Sequence, residues 1–566
     1  MDRPSRRTRA HRSTRVLRAV ALCVTVACDK SADAISRVVA APVARDTLLS
    51  PLPAPSGDAT LAELPRRTVS AAYPASRREL RLDADANLQA AIDSARPGDA
   101  LLLPPGAVYE GNFVLPNKGD SDDWIVIRTD VDDALLGAPG SRMTPTTAKS
   151  AMLAALVTPN QTAAITTQLG ANHYRLVGVD VHVRGGVRDV NALIRFGTAS
   201  SAQSTPELIA RDLIVDRSWV HGSPTLELKR CIMLNSGSTA VVDSWLGECH
   251  SNQGDSQAII GWNGPGPYLI QNNHLEASHE VVAFGGGSAT IVDQSPSDIT
   301  LRGNHITRPL AWKGVWQVKN LLETKHVRRL LVEGDVFENN WRDAQAGFAF
   351  VLKSENQNGD DPWTQSTDIT IRYNRIRNTG NAFNLAANPS GLPAVPAARI
   401  TITDNILENI NVGPYEGDGH SFQLLGDLAD IVVKHNTVTS ANGRGAFTVM
   451  LGNPSVRRLL VQGNVLMHGG YGIKGGGTGE GTPSIDHYAP GALVRENLMV
   501  GGGDPRVYPS GNRFSASFGE VGFVDATAGN YRLAPSVLSA PAEDGITVGA
   551  DIDRVESETR GAVVAP

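Results

Sequence analysis

The sequence predicts an all-β fold, a right-handed parallel β-helix with a capping helix at its N-terminal end. Three observations predict it: a repeated phrase, its period, and one polar position inside it. The phrase apolar-x-apolar-x-x-Asn-x-apolar is centred on Asn304, Asn374, Asn405, Asn436 and Asn464. Equivalent positions at 218 and 497 are nine intervals apart, so the mean period is about 31 residues. Self-similarity at such a period is typical of a solenoid.

Each repeat contains short runs of alternating apolar and polar residues, which indicate strands rather than helices. Paired helices are the competing interpretation. They are disfavoured because the runs are rich in β-branched residues and because the intervals vary from 26 to 39 residues. An inward amide at the same position of every turn can hydrogen-bond the amides above and below it. The sequence therefore predicts an Asn ladder inside the coil.

The first 34 residues resemble an export leader. Residues 1–18 carry seven arginines and one acid, and the apolar run 19–27 that follows is too short to span a bilayer. Cleavage is expected either after Ala34 or at Cys28, where a lipid anchor would be attached. We therefore expect a bacterial protein that is secreted, periplasmic or an outer-surface lipoprotein. A basic, unstructured leader is the alternative.

Composition predicts the remaining segments. Residues 35–78 are rich in Ala, Pro and Ser and are interpreted as a linker, residues 79–510 as the coil, and residues 511–566 as a C-terminal capping segment and tail. Without residues 1–34 the net charge changes from −6 to about −11, which argues against a general nucleic-acid binder. Cys231 and Cys249 form either a disulfide or two buried thiols.

The ladder resembles that of the pectate-lyase-like β-helix superfamily. The amphipathic stretch 88–99, followed by the apolar run 101–106, is similar to the capping helix and first strand of that superfamily. The resemblance is specific for the fold and says little about chemistry.

Loops carry function in a solenoid, and the stretch 255–363 combines aromatic and basic residues. Five of the eight tryptophans lie between Trp262 and Trp363, where their rings could stack on sugars or simply cover the core. Residues 313–329 hold five Lys or Arg and one acid, so they could bind an anionic polymer or form a solvated surface. Cations around a lysine would favour its neutral form, which could act as a base. The residues predicted to bind substrate are Trp262, Lys319, Arg328 and Trp363.

Lys325, followed by a cation at the end of the next strand, resembles the alginate lyase and chondroitinase B family. The resemblance implies that Lys325 is the base, that Lys353 replaces an assisting arginine, and that calcium neutralises the substrate carboxylate. Val318 and Asn320 stand where that family places metal-binding carboxylates. The remaining candidate calcium ligands are Glu323, Glu280 and Asp255.

We therefore predict an exported, carbohydrate-active protein that cleaves a uronate-containing polysaccharide by β-elimination. The alternative is a non-catalytic glycan-binding or surface-attachment β-helix, and a glycoside hydrolase is less favoured. The predicted partner is an anionic polysaccharide, without nucleic acid or a membrane span, and the predicted oligomeric state is a monomer.

Overall fold

The computed structural model describes residues 59–439, 448–453, 455–534, 545 and 547–565. These residues form a right-handed parallel β-helix in which each turn adds one strand to each of three long parallel sheets, which confirms the predicted fold. The predicted leader, including Cys28, lies outside the described residues. None of the described helices is long and apolar enough to cross a membrane.

Sheet A contains the strand that opens each turn. Its fourteen strands are Arg78–Arg81, Asp99–Leu103, Ile125–Thr129, Asn172–Val177, Arg211–Asp216, Gly237–Val242, Gly266–Gln271, Ser297–Arg302, Val327–Glu333, Ser366–Arg372, Ala398–Thr403, Ala429–Lys434, Arg457–Gln462 and Leu493–Arg495. The repeated apolar pair points into the core, as at Leu330 and Val332, both fully buried.

Sheet B follows sheet A after a tight turn. Its fourteen strands are Val108–Glu110, Ala154–Thr158, Val179–Val183, Trp219–His221, Trp245–Cys249, His274–Ala277, His305–Thr307, Val336–Glu338, Arg375–Thr379, Ile406–Ile410, Thr437–Val438, Val465–Met467, Leu498–Val500 and Arg513–Ser515.

Sheet C completes each turn and carries the longest loops at its edges. Its twelve strands are Phe113–Leu115, Ile165–Thr167, Ile194–Gly197, Arg230–Asn235, Gln257–Gly261, Val282–Phe284, Leu322–Thr324, Phe348–Lys353, Asn381–Ala386, Phe422–Leu425, Val449–Leu451 and Ile473–Gly475.

The predicted ladder runs through the tight turn between sheets A and B. The Nδ2 atom of Asn374 donates to Oδ1 of Asn405 at 2.9 Å, and Asn405 donates to Asn436 at 3.0 Å. The ladder continues through Asn464 and Asn497 to Asn512, one turn beyond the last position found in the sequence. The residue before each amide adopts a left-handed backbone conformation, with φ of 57° at Tyr373, for example. This turn fixes the register of every rung.

Short helices cover the ends and edges of the coil. The α-helices are Leu88–Ser94, Asp133–Leu136, Pro145–Ser150, Thr482–Tyr488 and Ile552–Glu558, and the 3-10 helices are Pro206–Leu208, Leu310–Trp312, Pro505–Val507, Phe518–Glu520 and Ala526–Ala528. Leu88–Ser94 is the expected capping helix. The Asn87 side chain caps it by accepting from the backbone N–H of Ala90, and Leu88 and Ile92 are buried.

The described part of the predicted linker is an ordered strap on the outer face of sheet A. Backbone N–H groups of Thr60, Glu63 and Arg66 donate to the carboxylates of Asp430, Asp368 and Asp298, respectively. These aspartates lie two rungs apart, about 9.5 Å, and three extended residues span about the same distance. The strap therefore fits the spacing of the coil, a match that composition alone could not reveal.

The C-terminal segment was predicted to close the coil, yet much of it lies along the outside of sheet B. Val548 packs with Val465 and Leu498, and Ile552 and Val555 pack on Ile406. Residues 523–525 and 530–533 form a small antiparallel hairpin. The helix Thr482–Tyr488 instead covers the last rungs of the core, because Ile485 and Tyr488 belong to the central apolar cluster.

Cys231 and Cys249 form a disulfide between sheets C and B, with 5.9 Å between their Cα atoms. Both residues are fully buried. Of the two possibilities left by the sequence, the structure contains the disulfide.

Candidate functional site

A polar cleft of about 200 Å³ opens on the outer face of sheet C, near the middle of the coil. Strands from four successive turns supply its floor, and loops at both edges supply its walls. The polar and aromatic residues that line it are Arg230, Asp255, Gln257, Trp262, Glu280, Phe284, Glu323, Lys325 and Gln357.

Strand register brings these residues together. In the turns that form the cleft, two consecutive apolar residues enter the core where the strand of sheet C begins, as Val281 and Val282 do. The residues on either side of such a pair, Glu280 and Ala283, therefore face outward. Ala283 is paired with Glu323 of the next strand. Since alanine is small, the Glu323 side chain remains reachable from the cleft.

Gly285 shapes the wall at the end of the strand Val282–Phe284. Its φ is 95°, and a Cβ atom placed there would lie 2.5 Å from the backbone nitrogen of His326. A side chain at this position would push the chain away from Lys325, so glycine permits the close approach of two neighbouring rungs.

Lys319 joins two of the acidic residues. Its ammonium group forms an ion pair with Asp255 and lies 3.4 Å from Oε1 of Glu280. Burial alone would lower the pKa of Lys319, but the charges of Glu280 and Asp255 outweigh burial and raise it. Lys319 therefore stays cationic.

Glu323 is the buried centre of the site. Its Oε1 atom lies 3.3 Å from Nζ of Lys353 and 3.7 Å from Nζ of Lys325, while Oε2 accepts a 2.6 Å hydrogen bond from Asn320. Burial would raise the pKa of Glu323, but Lys353 and Lys325 lower it overall. Glu323 is thus an ionised carboxylate held between two lysines.

Lys353 and Lys325 differ in their surroundings. Burial lowers the pKa of Lys353, but Glu323 and Glu355 raise it to above its usual value. The Lys325 ammonium group, in contrast, lines the cleft and donates to Oε1 of Gln357 at 3.1 Å. The sequence suggested cations around Lys325, whereas the structure places the Glu323 carboxylate beside it.

Glu280 is buried and accepts a 2.8 Å hydrogen bond from Nε2 of Gln257. Burial raises its pKa, although the charge of Lys319 opposes the change. Of the two buried glutamates in the cleft, Glu280 is therefore the one that holds a proton more readily.

Arg230 is the main residue that sequence reasoning missed. Its Nε atom donates to Gln257 at 3.1 Å and a terminal nitrogen donates to Asn191 at 3.1 Å, while the guanidinium lies 5.9 Å from the Trp262 ring centroid. No carboxylate among the described residues pairs with it at ion-pair distance. Aligning the rungs by register, which pairs Arg230 with Gln257, could have located it.

The structure brings seven of the nine predicted site residues into one neighbourhood and leaves two outside. Arg328 lies on sheet A, in register with Ser297 and Thr367. Trp363 is half-buried, and its indole donates to the backbone oxygen of Gln294 at 3.2 Å. Three other tryptophans of the aromatic stretch, Trp312, Trp316 and Trp341, pack together in a buried apolar cluster that is separate from the central core. Only Trp262 of the five lines the cleft.

The candidate calcium ligands do not fit a calcium ion in this arrangement. Calcium needs several oxygen ligands at 2.3–2.6 Å. Here the ammonium group of Lys319 lies between Asp255 and Glu280, and Glu323 is engaged by two lysines. Calcium thus stays a prediction from the family resemblance. Lys319, Lys325 and Lys353 lie beside these carboxylates.

No protein-family model matches the chain, and no curated protein matches it. Solved structures with a similar course of the chain include an alginate lyase of polysaccharide lyase family 6, AlyGC, at 12% identity and a TM-score of 0.44. That match covers 86% of this chain and 59% of the alginate lyase, so the chain spans less than two thirds of that protein's length.

Two further structures are similar at the same level. A mannuronic acid-specific family 6 lyase from human gut microbiota is 12% identical, with 75% and 86% of the two chains covered and a TM-score of 0.41. An exopolygalacturonase from Thermotoga maritima is 10% identical, with 74% and 90% covered and a TM-score of 0.39. These similarities concern the fold alone.

Proposed function

We propose that the protein is an exported polysaccharide lyase that cleaves an acidic, uronate-containing polysaccharide by β-elimination. One observation carries the proposal. Arg230, Lys325 and Glu280, which can serve as carboxylate binder, base and proton donor, line a single outward cleft.

The reaction needs three groups. A base removes the proton from the carbon beside the uronate carboxyl, a cation stabilises the negative charge that develops, and a donor protonates the leaving oxygen. The C–H bond and the bond from the neighbouring carbon to the glycosidic oxygen break, and a carbon–carbon double bond forms between these carbons. No water is consumed, so one new end of the polymer is unsaturated.

Lys325 is the proposed base. Its ammonium group opens to the cleft, and Gln357 orients it at 3.1 Å. Lys319 and Lys353 are poorer candidates because each is paired with two carboxylates, which raise its pKa, whereas Lys325 is paired with Glu323 alone, at 3.7 Å. Glu323 holds Lys353 one rung from Lys325, so a fixed positive charge lies behind the reacting centre.

Arg230 is the proposed binder of the substrate carboxylate. A guanidinium without a carboxylate partner of its own can form a bidentate ion pair with a uronate. Trp262, next to Arg230, offers an aromatic face to a sugar ring. Together they would fix the sugar that loses its proton.

Glu280 is the proposed proton donor to the leaving oxygen. Burial raises its pKa, although Lys319 opposes the change, and when Glu280 holds the proton that such a donor requires, Asp255 stays as the ionised partner of Lys319. The Gln257 side chain, which donates to Glu280 and accepts from Arg230, fixes the two groups relative to each other.

Export is supported by the disulfide and by the composition of the leader. Disulfides persist in oxidising compartments and are rare in the bacterial cytosol. The pair Cys231 and Cys249, together with the arginine-rich segment 1–18, is consistent with a secreted, periplasmic or outer-surface protein.

A specific observation favours a second candidate, a β-helix that binds acidic glycans without cutting them. Lys319, Lys325 and Lys353 each form an ion pair with a carboxylate of the protein, so their ammonium groups can have a structural role without contacting a substrate. The same cleft could then recognise a sugar through Arg230 and Trp262 alone.

An elimination assay separates the candidates. The purified protein is incubated with alginate, pectate and glycosaminoglycans, and the ultraviolet absorbance of unsaturated ends is followed. We expect absorbance with at least one polymer, its loss in Lys325→Ala, and its retention in Lys474→Ala, which removes a lysine from the same face of sheet C several rungs away. New reducing ends without absorbance would indicate hydrolysis, and binding without any product would indicate the non-catalytic candidate.

A further inference from the structure

Two histidines and one aspartate meet on the outer face of sheet B. Asp180 and His182 alternate along the strand Val179–Val183 and so share a face, and His221 of the next rung is in register with His182. The three side chains belong to a different sheet from the cleft, and the elimination chemistry does not use them.

The ligand atoms of this trio are close to the geometry of a metal site. Nδ1 of His182 lies 2.9 Å from Oδ1 of Asp180, and Nε2 of His221 lies 3.2 Å from the same oxygen. All three ligand atoms are within 4.8 Å of one another. Around a tetrahedral zinc ion, bonds of about 2.0–2.1 Å place neighbouring ligand atoms roughly 3.3 Å apart.

The orientation of His221 argues that a cation belongs there. Its Nδ1 atom is 2.6 Å from the backbone oxygen of Gly222, which can only accept, so Nδ1 carries the proton. In a neutral ring Nε2 then has a lone pair. This nitrogen is buried, meets no hydrogen-bond geometry among the described residues, and lies 3.2 Å from Oδ1 of Asp180, to which it can donate only when the ring carries a second proton. A backbone carbonyl that fixes the far nitrogen is the usual support of a metal-bound histidine.

Neighbouring aromatic rings hold the trio in place. The Trp219 ring stacks on His221 with 3.8 Å between centroids, and the rings of His182 and His221 lie 5.2 Å apart at 25°. The three ligand side chains are 17–28% exposed, so the site lies at the surface of sheet B, and side-chain motion alone would open the buried Nε2 atom of His221 to an ion.

We propose that Asp180, His182 and His221 form a site for a divalent d-block cation such as Zn²⁺. Two imidazoles and one carboxylate match the ligand preference of zinc and leave a fourth position open to water. The ion links two consecutive rungs near the N-terminal half of the coil and stabilises the folded chain by mass action.

The test uses the full-length protein without a histidine tag, stripped with a chelator and titrated with Zn²⁺ by calorimetry. Co²⁺ serves as a second probe because its visible absorption reports tetrahedral nitrogen and oxygen ligands. Three single variants are compared: Asp180→Asn, His182→Ala and His221→Ala. His487→Ala, which removes an exposed imidazole from the helix Thr482–Tyr488, is the control. Circular dichroism identifies any variant that fails to fold.

We expect one equivalent of Zn²⁺ to bind the wild type and the control, with a rise in Tm. Affinity should fall at least tenfold in every folded variant of the trio, as expected when a ligand is removed. Asp180→Asn preserves shape and keeps the test decisive if an alanine variant misfolds. Failure of the wild type to bind, or binding that is equal in wild type and Asp180→Asn, would overturn the proposal.

Discussion

The ammonium group of Lys353 lies 3.3 Å from Oε1 of Glu323, and Glu323 is 2% exposed. The pair joins two consecutive rungs of sheet C beneath the cleft. Breaking a buried ion pair leaves an uncompensated charge, whereas an exposed pair contributes little.

Glu323→Gln is therefore expected to lower the free energy of unfolding by about 3 kcal/mol. The control is Glu79→Gln, which breaks an exposed pair with Arg81 that is also 3.3 Å long. Urea unfolding at pH 7 measures both. Because the native pKa of Glu323 is lowered, its stabilisation is present above its unfolded pKa and disappears as the pH falls through the native value. Equal, small effects of the two substitutions would show that the buried pair is not stabilising.

Arg230→Gln is expected to raise KM for the uronate polymer about 10- to 100-fold, since a charged hydrogen bond contributes about 1.5–3 kcal/mol. Arg195→Gln is the matched control, because Arg195 is exposed on the same face of sheet C. Steady-state kinetics of the absorbance assay provide both values. A KM that is unchanged in Arg230→Gln would remove this arginine from the substrate site.

Calcium chelation is expected to leave the elimination rate unchanged, because Lys319, Lys325 and Lys353 already neutralise the acidic residues. The measurement compares rates with EGTA and with added calcium. Lys319→Met removes the charge but keeps much of the volume, and it should lower both Tm and activity. Loss of wild-type activity in EGTA, restored by calcium, would contradict the assignment of the lysines as the cations of the site.

Asp335→Asn is expected to stabilise the protein at pH 7–8 by about 1–3 kcal/mol. Asp335 occupies an Asn position of the ladder, its Oδ2 atom has no partner among the described residues, and burial raises its pKa to about 7. The native state holds a proton that the unfolded chain loses near pH 4, so stability falls as the pH rises from about 4 to 7. The substitution should therefore reduce the dependence of the free energy of unfolding on pH in this range. Asp120→Asn, which changes an exposed carboxylate, serves as control in thermal melts across that pH range.

The double substitution Cys231→Ser and Cys249→Ser is expected to lower the free energy of unfolding by about 3 kcal/mol, the value for a closed loop of this length. The disulfide spans 18 residues and is fully buried. Unfolding in urea with and without a reductant measures the effect. Native wild type should resist mild reduction, and equal stability of the two proteins would show that the bond contributes nothing.

Sequence alone located the ladder, because an inward amide once per turn is a strong periodic signal, as at Asn405 and Asn436. The family resemblance also paired Lys325 with Lys353, and in the structure Lys325 directly follows one strand of sheet C while Lys353 ends the next. The sequence could not show that Lys319 bridges Asp255 and Glu280, because these residues come from loops of different length whose paths no repeat fixes. Arg230 was missed for a related reason, since its role depends on register with Gln257. Arg328 was predicted to bind substrate because the basic stretch 313–329 was assumed to lie on one face of the coil. In the structure this stretch crosses from sheet C to sheet A, so Arg328 lies away from the cleft.

The strap on sheet A has a consequence for the order in which the chain is assembled. Thr60 docks at the level of Asp430, and Arg66 docks at the level of Asp298, so this segment runs backward against the direction in which the rungs accumulate. The binding position of Thr60 does not exist until the strand Ala429–Lys434 has been added, whereas that of Arg66 forms with the earlier strand Ser297–Arg302. Thr60 is synthesised early but cannot dock until the chain some 370 residues later has folded onto the coil. Complete docking of the strap therefore occurs only after the coil has formed as far as Asp430.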